Sequence, residues 1–221
     1  MGVVLGASTA LAGQPIVVTP TKITPLPMPV GLEPVKAFPS PPSIAQEVVV
    51  YENAASAGQY VNAGAGVELA DDVHTTLAGV LTSFDIGYFN STAAPVDLTI
   101  TLYGNDALDG VVDIAQAGPY LISALPPGFN VFTITVPDTP VIGTDLWFAW
   151  SFSLDGSGMV ISGAPATTGT SHDLFLDVGL GQLFWFGGLP TANFWVVVRI
   201  QDQTVPVENT TWSSVKALYG D

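Results

Sequence analysis

From residue 45 onward apolar and polar residues alternate with a period of two in one segment after another. That period places successive side chains on opposite faces of a strand. Residues 96–103 show it most cleanly, with Val96, Leu98, Ile100 and Leu102 on one face and Asp97, Thr99, Thr101 and Tyr103 on the other. In residues 79–90 the same rule puts Leu81, Ser83, Asp85 and Gly87 opposite Phe84, Ile86 and Tyr88. Residues 46–51, 129–136, 145–154, 174–178, 183–186 and 194–200 complete the set, rich in Val, Ile, Thr and aromatics. Turn residues separate them, among them Pro126-Pro127-Gly128, Asp155-Gly156-Ser157-Gly158 and Gly187-Gly188. The best helical stretch is short, residues 212–219. Many strands without intervening helices predict an all-β fold: an antiparallel, jelly-roll-like β-sandwich with one wet and one dry face per strand.

The first 43 residues lack this pattern. Residues 1–13 are apolar and end in Ala10-Leu11-Ala12, like the tail of a secretory signal, but without a basic start. Residues 14–43 contain nine of the eighteen prolines. Proline fixes φ and removes a donor, so this arm favours extended geometry over an independent fold. The expected organisation is a signal-like or arm segment (1–13), a proline-rich extended arm (14–43) and a sandwich domain (44–221).

Charge narrows the partners. Four cationic side chains, Lys22, Lys36, Arg199 and Lys216, stand against nineteen acidic ones, a net charge of -15. Such a chain does not attract nucleic acid or an anionic membrane. No apolar run is long enough for a spanning helix. There is no cysteine, hence no disulfide, thiolate site or cysteine nucleophile. Thr, Ser and Asn replace charge on the strand faces, which makes those faces cheap to desolvate against a partner. Few lysines guard the sheet edges.

Four motifs carry a resemblance: Tyr51-Glu52-Asn53, Ala70-Asp71-Asp72, the LTSFDIGY strand of residues 81–88 and the VDLTITLYGND segment of residues 96–106. With DLWFAWSF, GTSHDLF, FWVVVRIQ and the terminal TTWSSVKALYGD, they make residues 48–219 resemble a β-sandwich module of bacterial secreted and cell-surface proteins, including those of the PEP-CTERM type. The resemblance implies an exported, non-enzymatic module at the cell surface or outside the cell. It implies little about a ligand, and no sorting tail follows Asp221.

Candidate chemistry is sparse. Asp71, Asp72, Asp106 and Asp109 read as turn carboxylates at strand ends and are the candidate calcium ligands, without an EF-hand pattern. The two histidines, His74 and His172, lack metal-ligand spacing and read as loop or strand-edge residues. Ser171-His172-Asp173 lacks a nucleophile elbow, and a Ser/His or paired-carboxylate hydrolase is the weakest reading. Trp147, Trp150, Trp185 and Trp195 crowd segments with bulky groups on both faces. They offer a partner surface or a stacking platform for a polysaccharide.

The leading expectation is therefore a non-catalytic structural subunit of a surface layer, sheath or filament that self-associates. Its arm would add a strand to a neighbouring sheet edge, with Ile16, Val17 and Val18 or Val48, Val49 and Val50 as donor segments. A glycan-binding module is the alternative.

Overall fold

The computed structural model of the protein describes residues 21–22, 24–31, 35–37, 47–104 and 111–201. These form sixteen strands and no helix. The arm contributes β1 (Thr21–Lys22), β2 (Leu26–Pro27) and β3 (Val35–Ala37). The body contributes β4 (Glu47–Asn53), β5 (Ser56–Val61), β6 (Leu69–His74), β7 (Gly79–Asn90), β8 (Val96–Gly104), β9 (Ala115–Leu125) and β10 (Gly128–Thr135). It continues with β11 (Val141–Ile142), β12 (Asp145–Phe152), β13 (Ser157–Ser162), β14 (Phe175–Asp177), β15 (Gln182–Trp185) and β16 (Val196–Gln201).

Two sheets result. The first has the order β1-β15-β14-β6-β12-β8-β9. The second has the order β2-β5-β13-β7-β10-β3, with β16 on β7, β4 on β16, and β11 on the end of β7. Eight of the strands nest as antiparallel pairs: β4 with β16, β6 with β12, β7 with β10, and β8 with β9. In chain order, first pairs with last, second with seventh, third with sixth and fourth with fifth. Strands β16–β7 and β12–β8 then join the pairs within each sheet. This is the jelly-roll winding, and the all-β sandwich expected from the alternation is the observed fold.

The core lies between the sheets. Val96, Leu98, Ile100 and Leu102 of β8 face Phe84, Ile86 and Tyr88 of β7 there, as the alternation requires. Leu81 departs from the expectation. It joins Phe84 in the core, although an uninterrupted strand would put the two on opposite faces. The cause is a register shift against β16, which pairs Arg199 with Ser83 but Ile200 with Leu81. Thr82 is the extra residue, and a bulge of this kind reverses the phase of the strand beyond it.

The described strands of the arm lie on the body's own sheet edges. Strand β1 pairs with β15, β2 with β5, and β3 with β10. Met28 follows β2, donates its N–H to the Gly58 carbonyl at 2.8 Å, and buries its side chain against Tyr60, Phe89, Phe129, Val131 and Val160 on the outer face of the second sheet. Arg199 forms a two-pronged pair with Asp85, at 2.9 and 2.6 Å, and so is spent within the sheet.

One expectation is corrected here. Val48, Val49 and Val50 do not belong to a free donor segment. They lie in β4, paired with β16 of the same sheet, and Val50 is wholly buried. Ile16, Val17 and Val18, residues 1–13 and the C-terminal stretch 212–219 lie outside the described residues.

Candidate functional site

The outer face of the first sheet carries the only described histidines. Alternation along β6 turns Leu69, Asp71 and Val73 inward, and Ala70, Asp72 and His74 outward. The fit is direct: Leu69 and Val73 belong to the central core, while Ala70 packs with Trp147, Ala149, Leu176 and Leu183 in a separate outer cluster. Asp72 pairs with Trp147 and His74 with Asp145 across the β6–β12 ladder.

A second segment closes on β6 from its other side. His74 and Thr170 exchange backbone hydrogen bonds of 2.8 and 3.0 Å. Gly169 makes this approach achievable. It has φ +72°, and a Cβ there would collide with the His74 carbonyl and the Tyr51 ring. The following residues are pinned. The Tyr51 hydroxyl donates to Ser171 Oγ at 3.3 Å, the His172 N–H donates to Asp72 Oδ2 at 2.8 Å, and Asp173 accepts from the Ala192 N–H.

This brings His172 to His74 across 98 residues of chain. Asp72 Oδ2 lies 2.6 Å from His172 Nδ1 and 3.2 Å from His74 Nε2, and the two ring nitrogens are 3.2 Å apart. On its far side, His74 Nδ1 lies 2.6 Å from Asp145 Oδ1. Asp145 is further fixed by a 2.8 Å bond from the Thr144 hydroxyl. Asp72 has no exposed surface, the His74 side chain is 24% exposed, and those of His172 and Asp145 are each 53% exposed. The cluster therefore has a buried carboxylate floor and an open rim.

Electrostatics follow from these contacts. The bond to Asp72 raises His74 to about 9, against the opposing effect of burial, and Asp145 adds to the rise. The same His74 contact, with Thr144, holds the Asp145 carboxyl below its ordinary value. Inward-facing Asp71 behaves oppositely. Burial, and then the neighbouring Asp72 charge, push its carboxyl well up, although it accepts the Phe194 N–H at 3.1 Å. Burial and Asp71 likewise push the Tyr51 hydroxyl up.

Two of the expected calcium ligands, Asp71 and Asp72, are thus not turn residues. Asp71 and Asp72 are consecutive in the middle of a strand, both buried, and their side chains leave on opposite faces, so they do not converge on one ion. Asp106 and Asp109 lie outside the described residues. The tryptophans are also corrected. Trp147 and Trp150 are fully buried, because the two faces of β12 supply the outer cluster and the central core respectively. Trp185 is 39% exposed on β15, and Trp195 packs against the second sheet over Gly87. The two remaining rings lie on different sheets and form no common strip. Ser171 is held by Tyr51, and both imidazoles face carboxylates and each other.

A metal site on the two histidines has no support in their sequence spacing; the signal the sequence does carry is Asp72-x-His74, a spacing of two that puts both groups on one face of any strand. Comparison with protein-family models, curated proteins and solved structures finds no match for this chain.

Proposed function

We propose that this protein is a non-catalytic structural module of an extracellular or cell-surface assembly, a subunit of a layer, sheath or filament connected through its N-terminal arm. One observation carries the reading: the three body strands covered by the arm, β5 (SAGQYV), β10 (GFNVFTIT) and β15 (QLFW), contain no charged residue. Uncovered, each would present unpaired backbone groups without the charges that normally blunt a sheet edge. The remaining outer strand of the first sheet, β9, is instead broken by Pro119 and three register shifts.

Among the described residues, each arm strand spans two or three residues. Contacts this short exchange easily, and a neighbour's edge offers the same residues in the same register. An arm leaving its own edge for that of the next subunit creates a head-to-tail contact, which propagates unless it closes into a ring. The exported setting rests on the resemblance of residues 48–219 to bacterial secreted modules.

The test uses a redox staple in a chain that has no native cysteine. Pro27 and Gln59 are directly opposed in the β2–β5 ladder. Opposed antiparallel residues have Cα atoms about 4.5–5.5 Å apart, within disulfide reach. The double variant Pro27→Cys/Gln59→Cys should be monomeric by light scattering when oxidised, and should assemble with rising concentration when reduced. Assembly that is equal in both states contradicts the arm as connector.

A further inference from the structure

We propose that His74 Nε2, His172 Nδ1 and Asp72 Oδ2 form a binding site for a first-row divalent metal ion of the zinc class, with Asp145 as the positioning residue for His74. Three donor atoms from two separate segments converge, at spacings of 3.2, 3.2 and 2.6 Å. Ligands about 2.0–2.1 Å from a tetrahedral zinc ion lie about 3.3 Å from one another. Two spacings already match. The third opens when the ion replaces the proton between Asp72 and His172, and His172 sits on the half-exposed side that can yield.

Two further observations point to an ion. The second oxygen of Asp72, Oδ1, is buried without a hydrogen-bond partner, so this wholly buried carboxylate has unused acceptor capacity. His74 is also held from behind by Asp145 at 2.6 Å. A carboxylate on the far nitrogen fixes the ring and leaves Nε2 for the ion, the usual support for a metal-bound imidazole. Two imidazoles and one carboxylate favour zinc and its neighbours over the hard, oxygen-seeking calcium ion. The open rim leaves a fourth position to solvent.

Composition makes the test sharp, since the chain has two histidines and no cysteine, and both histidines are in this site. The full chain is titrated with zinc chloride and, separately, with calcium chloride, by calorimetry and by thermal unfolding. Zinc should bind one per chain at micromolar concentration or below, raise the unfolding temperature, and shift both imidazole NMR signals. Calcium should do none of these. His172→Ala removes an exposed ligand with little risk to the fold, and should weaken zinc binding about 100-fold or more. Asp145→Asn should weaken it about 10- to 100-fold while the one-to-one stoichiometry stays. The proposal is overturned if zinc fails to bind, if the His172 variant binds it as tightly as the parent, or if calcium binds more tightly than zinc.

Discussion

The two outer faces of the sandwich are both partly apolar, yet they are closed by different means. On the first sheet, Trp147 is buried among Ala70, Ala149, Leu176 and Leu183, with Tyr103 and Val112 packed against it. All of these belong to strands and connections of the body. On the second sheet, Tyr60, Phe89, Phe129, Val131 and Val160 are closed by Met28 of the arm and by Trp195. The first cover comes off only if the roll unfolds. Of the second cover, Trp195 belongs to the body and is held by backbone bonds to Gly87 and Val160, while Met28 lies on an arm whose described strands span two or three residues, where local opening costs less than global unfolding. The two faces differ in what covers them more than in their own composition.

The first face is the more stable of the two, and Trp147→Ala strikes it at its centre. Removing this fully buried ring should destabilise the protein by about 3–5 kcal/mol in chemical denaturation. A loss well below that range would mean that the first outer face is not part of the cooperative core. The next effect is smaller. A Cβ at Gly87 would lie 2.8 Å from Trp195 Cγ, so Gly87→Ala should displace the ring and cost about 1–3 kcal/mol, with a red-shifted tryptophan emission. Unchanged emission would show that Trp195 does not seal this face. Met28→Ala should cost only about 1 kcal/mol or less globally, because its loss can be met by arm release. It should nevertheless speed hydrogen exchange at the Met28 amide at least tenfold, without changing exchange in β8 and β12. Equal acceleration in all three would place the arm inside the global folding unit.

A further effect is pH-dependent and belongs to the first face. His74 binds its proton more firmly in the folded protein, at about 9, than at its ordinary 6.5. Its contribution to stability is therefore complete below about pH 6.5 and is lost as pH rises through about 9. Asp145 has the opposite sign: its lowered carboxyl contributes above its ordinary 3.8 and loses that contribution as pH falls. Metal-free protein should show a shallow alkaline decline in unfolding temperature that His74→Gln abolishes. An identical decline in the variant would assign the slope to another group.

Strands with strict alternation, β8 above all, were legible in the sequence, because a half-buried strand writes its two environments into successive residues. Strands β9 and β13 were not, for opposite reasons. Strand β9 is a largely exposed outer strand interrupted by Gly118-Pro119, and β13 is buried on both faces, so neither has two contrasting faces to reveal. Half of the site was within reach through the spacing of Asp72 and His74. The other half was not, since His172 arrives only through the pairing of Thr170 with β6 and the tight approach at Gly169. Trp147 misled for a related reason: a bulky residue on an outer face signals a cover, and the sequence does not say whether that cover is a partner or the chain itself.

Mixing two singly substituted proteins, Pro27→Cys and Gln59→Cys, tests arm exchange most directly. Neither protein can form the 27–59 disulfide within one chain. If arms pass between subunits, mild oxidation of the concentrated mixture should give a covalent heterodimer, with the 27–59 bond identified by mass spectrometry of the digest. If the mixture yields no 27–59 heterodimer, while the doubly substituted chain forms that bond internally, the arm stays on its own body and the assembly account is wrong.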